Sequence, residues 1–405
     1  MVRTTRKLAS GLAALVLLTA LSVVSPRPCL AGEANASIAA ALKPYVESHT
    51  LAGAVTLVAS KDRVLDVQAV GWADIAAGKP MRTDALFWIA SMSKPLTATA
   101  LMMLVDEGKV NLDDPVEKYL PEFRGQMLAA SQDADHAELK KPARPITVRD
   151  VLSHTSGLPF MSRVERKIDT YPLRVAAMSY ALTPLKFEPG SKYDYSNAGI
   201  NTAGRILEVV SGLPYEEFMA RRLFRPLGMK DTTLWPTPKQ LARLAKSYKP
   251  DAAKTGLEET TIDQLTYPLS DTTRGPSPAG GYFSTAADMG RFCQMLLSGG
   301  EWGGQRYVSE NALRHMTCCQ TKELLGKDGN GYGLGFSVSG RPYRADGPAP
   351  AGSFGHGGAY ATNMRVDAVR SLVTVWMVQH AGYPGPDGGK IEPAFRKAAE
   401  DAFGQ

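Results

Sequence analysis

Histidine and cysteine are scarce in this chain of 405 residues, and their scarcity narrows the chemistry. The six histidines, His49, His136, His154, His315, His356 and His380, fall in no H-E-x-x-H spacing and have no Cys-x-x-Cys pair beside them. A dedicated zinc site is therefore not indicated, and no metal or organic cofactor is expected. Of the four cysteines, Cys29 lies in the N-terminal segment, leaving Cys293, Cys318 and Cys319. An odd number with an adjacent pair makes no disulfide framework. The chain has no G-x-S-x-G, which removes the strained nucleophile turn of the α/β-hydrolases, and no Gly-rich phosphate loop.

A charge excess is lacking too. The formal net charge of +6 owes four units to Arg3, Arg6, Lys7 and Arg27, and without them it falls to +2. That balance offers no electrostatic footprint for nucleic acid. The basic stretch "ELKKPAR" stands beside acids and reads as a solvated loop.

One apolar run approaches the length of a membrane span, "LASGLAALVLLTALSVV", and it follows Arg3, Arg6 and Lys7. It is short for a span of about 20 residues, and small residues follow it, the pattern of a secretory leader. Residues 1–31 are therefore read as a signal peptide cleaved after Ala31, with Ala36 as the alternative, and the product as secreted or periplasmic. No membrane span is expected in the mature chain.

Strand signals come at both ends. "AGAVTLVASKDRVLDVQAVGWAD" holds two β-branched runs divided by a polar turn, a hairpin. "GYGLGFSVSG", "SFGHGGAYATNMRVDA" and "RSLVTVWMVQH" supply strands before a last helix near "EPAFRKAAEDAF". The expected fold is α+β: one antiparallel sheet shared by the two ends, flanked by N- and C-terminal helices. The expected domain is 37–403, with a sheet lobe of 37–80 and 328–403 and a lobe of helices and loops at 81–327. Residues 124–145 read as an exposed insertion.

In "FWIASMSKPLTATALMMLVDEGKV", Pro95 fits only the first turn of a helix, so Ser91 stands at that helix's start. Lys94, three residues on, shares its face. An amine able to lose its proton activates a serine hydroxyl, and the helix start offers N–H groups to an oxyanion. A Ser-x-x-Lys alone is a weak signal. Ser91 is, however, the one serine here with a lysine three residues on, and its helix is too apolar to be a solvated one.

"FEPGSKYDYSNAGINTAG" places Tyr195 and Asn197 two apart before a helix, a phenol that relays protons and an amide that holds a substrate group. In "SFGHGGAYATN", Gly357 and Gly358 follow His356 and remove side chains where a ligand backbone could approach the sheet, with the Ala359 N–H as an oxyanion donor. His154 in "SHTSGL" is read as a helix-end residue bonded to backbone rather than as an acid or base.

In that order, Ser-x-x-Lys, Tyr-x-Asn and His-Gly-Gly resemble the three signatures of the penicillin-recognising serine hydrolases: class C β-lactamases, serine DD-peptidases and related esterases. "DVLSHTSGLP", "LFRPLGMKDT" and "PAGGYFSTAADMGRFCQMLLSGG" extend the resemblance to about 360 residues. It implies a β-lactamase/transpeptidase-like fold with the active site between the lobes. It also implies an acyl-enzyme on Ser91, with proton work shared by Lys94 and Tyr195. Asn197 would orient the acyl side chain, and the Ser91 and Ala359 N–H groups would form the oxyanion hole.

The family's strand motif is commonly Lys-Thr-Gly or His-Thr-Gly, and here it is His356-Gly357-Gly358. The glycine removes a hydroxyl for a substrate carboxylate, and histidine, of ordinary pKa about 6.5, carries little positive charge at neutral pH. The expected activity is an exported carboxylesterase on small-molecule esters. The alternatives are a β-lactamase, a DD-carboxypeptidase or D-aminopeptidase on cell-wall peptides, and, last, a ligand-binding or sensor protein.

Overall fold

The computed structural model describes residues 1–2, 31–133, 136–321, 324, 331–339 and 352–404. The expected leader lies outside the described residues, apart from its first two and last.

Helix α1 (Ala31–Glu47) leads into strands β1 (Gly53–Ala59), β2 (Val64–Asp74) and β3 (Lys79–Pro80). The middle of the chain gives helices α2 (Ser93–Asp106), α3 (Val148–Ser153), α4 (Leu173–Ala181), α5 (Asn197–Ser211) and α6 (Ala286–Leu297). The chain then returns to the sheet with β4 (Gly331–Tyr332), β5 (Ser337–Ser339), β6 (Ser353–Gly357), β7 (Asn363–Asp367) and β8 (Leu372–Met377), and closes with α7 (Gly388–Phe403).

The two ends share one antiparallel sheet of order β4-β5-β6-β7-β8-β1-β2-β3, joined where Val55 lies opposite Met377 and Leu57 opposite Val375. Both strands at the seam are buried throughout, which explains their unbroken apolar sequences, "GAVTLVA" and "LVTVWM". Successive residues serve opposite faces. Ala54 and Val58 pack with Trp376, Ile391 and Phe395 under α1 and α7, while Val55 and Leu57 join the core that α6 covers. Helix and sheet approach closely because Gly290 has no side chain: a Cβ there would lie 2.7 Å from Leu57 Cδ2.

The middle region differs from its reading as helices and loops. It also carries four two-stranded ladders among the described residues. Residues 124–145 hold one of them, Leu128–Gln132 against Ala137–Lys140. Phe87–Trp88 pairs with Phe283–Ser284. Two to five residues per strand are too few for a period to declare itself.

Among the described residues, no helix is long and apolar enough to cross a membrane. Cys293, Cys318 and Cys319 are free thiols.

Candidate active site

Ser91 lies in a short 3-10 turn, Ala90–Met92, one step before α2, so the nucleophile candidate precedes the helix rather than opening it. Helix α2 is buried along twelve of its fourteen residues, which fixes the turn against the core. Ala90 is held at φ 45°, left-handed backbone that a side chain ordinarily avoids. Such strain persists only where the surroundings enforce it.

Lys94 is fully buried. Its Nζ lies 3.0 Å from Ser91 Oγ, 2.8 Å from Asn197 Oδ1 and 2.7 Å from the Ala279 carbonyl oxygen. Burial alone holds its pKa well below the ordinary lysine value, and it has no carboxylate partner among the described residues. The Asn197 and Ala279 oxygens can only accept. A neutral amine gives its two N–H bonds to them and keeps its lone pair for the Ser91 hydroxyl.

Two asparagines maintain this arrangement. The N-cap of α5 is Ser196, whose Oγ accepts from the Gly199 N–H at 2.9 Å, so Asn197 is free to meet Lys94. One turn on, Asn201 Oδ1 accepts the Ala279 N–H at 3.0 Å and so aims the Ala279 carbonyl at Lys94. Sequence reading missed Asn201 and Ala279. The N-x-x-x-N spacing, two amides on one helix face, was the available signal for the first. The second acts through its backbone, which residue type does not disclose.

Tyr195 stands over the lysine, with Lys94 Nζ 4.7 Å from its ring centre. Burial pushes its phenol above the ordinary value, opposed by a side-chain hydrogen bond with Ser91, so it is protonated at neutral pH. His154 ends α3 in left-handed conformation, φ 61°, and its Nδ1 accepts the Ser196 N–H at 3.1 Å, the expected backbone bond. Its ring also packs 4.5 Å from Tyr195, closer to the site than that reading implied.

His356 is buried in β6. Its Nδ1 lies 2.7 Å from the Gly357 carbonyl oxygen, to which it donates, leaving Nε2 to accept from the Tyr332 hydroxyl at 2.9 Å. Burial above all pushes its pKa down to about 3, so the ring is neutral. Among the described residues it makes no hydrogen bond to Ser91, Lys94 or Tyr195. Tyr332 is a further residue the sequence reading did not single out.

At Gly358 the chain passes so close to the nucleophile turn that a Cβ would lie 2.6 Å from the Ile89 carbonyl oxygen, and its N–H donates to the Thr362 carbonyl at 2.7 Å. The exposed Ala359 follows directly. Gly357 is different, since a Cβ there would meet Thr362 O at 3.6 Å and Asn363 Nδ2 at 3.7 Å, ordinary contacts. A cleft of about 530 Å³ opens past this strand, lined by Tyr193, Tyr332, His356, Gly357, Arg365 and Arg396 among others but not by Ser91. Arg365 Nε is buried there with no hydrogen-bond partner among the described residues.

The sequence-predicted residues Ser91, Lys94, Tyr195 and Asn197 thus form one contact network, and the His356–Ala359 strand end closes beside it. No group of acids, cysteines and histidines able to hold a metal occurs among the described residues.

A family model described as Beta-lactamase matches residues 38–397. Protein Rv1367c of Mycobacterium tuberculosis is 33% identical over 362 residues, 84% of this chain and 89% of that one. Esterase EstB of Burkholderia gladioli is 28% identical over 384 residues, 87% and 93% of the two chains. The structure of EstCE1, a hydrolase with promiscuous acyltransferase activity, shares the fold at a TM-score of 0.74 and 24% identity, covering 91% of this chain and 99% of its own.

Proposed function

Because the chain belongs to the β-lactamase family and is a serine hydrolase, we propose that it is an exported carboxylesterase working through an acyl-enzyme on Ser91. In this reading the Ser91 hydroxyl gives its proton to the Lys94 lone pair as Oγ attacks the ester carbonyl. The Ser91 and Ala359 N–H groups receive the oxyanion. Collapse breaks the acyl–oxygen bond, and the alcohol leaves with a proton returned through Lys94 and the Tyr195 phenol. Water, activated by the same pair, attacks the acyl carbonyl and frees Ser91. Asn197 orients both Lys94 and the acyl side chain.

The observation that carries the ester reading is the state of His356 and Gly357. The histidine is neutral, with both ring nitrogens engaged by Tyr332 and Gly357, and the next residue offers no hydroxyl. A substrate carboxylate finds no charge-assisted bond there, a loss of about 1.5 to 3 kcal/mol. The similarity to Esterase EstB supports the same choice. The leader-like first 31 residues support export to a secreted or periplasmic location.

A second reading, a β-lactamase or a carboxypeptidase on cell-wall peptides, is favoured by Arg365 and Arg396 in the neighbouring cleft, cations within the same opening as Gly357. The deciding test compares turnover of p-nitrophenyl butyrate with that of a chromogenic cephalosporin, using Ser91→Ala as blank. Ester turnover at least a hundredfold faster is expected. Cephalosporin turnover at a comparable rate, lost in Arg365→Gln, would transfer the assignment to the second reading.

A further inference from the structure

Helix α4 buries Leu173, Ala176, Ala177 and Tyr180, and it packs against α5. Its outer side is apolar as well: Val175 is 44% exposed, Met178 42%, and Leu182, which ends the helix, 83%. These positions follow the i, i+3, i+7 spacing of a single stripe. The preceding loop adds Val164 and Phe160, both exposed. Loop and helix are tied together, since Ser179 Oγ donates to Ser162 Oγ at 2.9 Å and the Tyr171 hydroxyl donates to the Val164 carbonyl at 3.3 Å. Apolar side chains gathered on one exposed face mark a docking surface.

The charges on this face share one sign. Between residues 160 and 182 the exposed charged side chains are Arg163, Arg166 and Arg174. The two acids of the stretch turn inward: Glu165 accepts from the Tyr180 hydroxyl at 2.7 Å, and Asp169 is buried against Arg274. None of the three arginines has an ion-pair partner among the described residues. Apolar groups interleaved with unneutralised guanidinium groups match an anionic bilayer, where the first enter the headgroup boundary and the second meet phosphates.

The face also begins at the catalytic wall. The Phe160 ring stacks on Tyr195 with centres 6.3 Å apart, and the Phe160 carbonyl accepts the N–H groups of Asn197 and Ala198 at 3.1 and 3.2 Å.

We propose that the loop 160–166 and the outer side of α4 dock the enzyme on an anionic phospholipid surface, so that the Ser91 site opens toward substrate held there. The docking stands on this surface alone and goes beyond the ester reading.

The test sediments the exported form, residues 32–405, with vesicles of phosphatidylcholine with or without phosphatidylglycerol. Binding is expected only with phosphatidylglycerol and should weaken as salt screens the charges. Each arginine near such a surface is worth about fivefold in partitioning, so Arg163→Gln, Arg166→Gln and Arg174→Gln together should lower it roughly a hundredfold. Met178→Glu with Leu182→Glu should abolish it. Both variants change exposed side chains and should hydrolyse dissolved p-nitrophenyl butyrate at the wild-type rate. Wild-type protein that ignores phosphatidylglycerol vesicles, or variants that bind like wild type, would overturn the docking. So would light scattering that shows a dimer broken by Leu182→Glu, which assigns the face to a second copy. Vesicle binding without ester turnover would sink the ester reading and leave the docking standing.

Discussion

Lys94 is the residue on which the proposed chemistry turns, because its burial disfavours the charged ammonium. It is buried, has three oxygen neighbours and no carboxylate partner among the described residues, and its pKa is held well below the ordinary 10.5. A base with a depressed pKa is neutral and active above that value and is lost as pH falls through it. kcat/KM should therefore climb with pH on an ionisation well below the ordinary lysine range. Lys94→Met should lower kcat by about a thousandfold, within the usual span for removing a general base. Lys94→Arg should not rescue, because guanidinium does not surrender its proton. Turnover of a p-nitrophenyl ester by both variants checks this, and Lys94→Arg retaining a tenth of wild-type activity would exclude the amine as base.

In the proposed mechanism, the strand end from His356 to Ala359 brings backbone beside the Ser91 turn. A Cβ on Gly358 would lie 2.6 Å from the carbonyl oxygen of Ile89, two residues before Ser91. Gly358→Ala must push strand and turn apart, at a cost of about 1 to 3 kcal/mol in stability, and should cut ester turnover by at least a hundredfold. Gly357→Thr has room, with its nearest contacts at 3.6 and 3.7 Å, and should melt within a few degrees of wild type. The restored hydroxyl should raise cephalosporin acylation about ten- to a hundredfold, read by stopped-flow quenching. Equal tolerance of the two substitutions would show that the close approach at Gly358 has no functional weight.

The same scale explains what the sequence disclosed. Continuous apolar runs such as "GAVTLVA" and the short spacing of Ser91 and Lys94 are local signals, so the sheet and the Ser91–Lys94 contact were readable, and the shared sheet at the two ends followed from where those runs lie. Helix α4 carries little amphipathic contrast in its sequence, because its exposed side is apolar too. The Ala279 carbonyl, the Asn201 amide behind it and the Tyr332 hydroxyl on His356 depend on contacts between residues far apart in sequence, where no local pattern points.

For the whole molecule, three buried neutral histidines link stability to pH from separate parts of the fold. His154 ends α3 and His356 sits in β6. His380 follows β8, where its Nε2 accepts the Ala52 N–H at 3.2 Å and ties the last strand to the first. Burial pushes all three pKa values down, His356 to about 3 and His380 to about 4. The unfolded chain titrates near 6.5, so between that pH and the folded value it binds more protons than the native state, and stability falls as pH falls. The buried carboxyls Glu165 and Asp288, whose pKa values burial raises, act in the opposite sense at the acid end. The total slope is therefore a mixture, and a difference between variants separates it. His380→Gln keeps an acceptor for Ala52 and lies outside the proposed catalytic network. Relative to wild type, it should remove about 1.4 kcal/mol per pH unit of acid destabilisation between pH 6.5 and 4, measured by urea unfolding across that range. Parallel stability curves for the two proteins would mean that His380 is already protonated in the folded state.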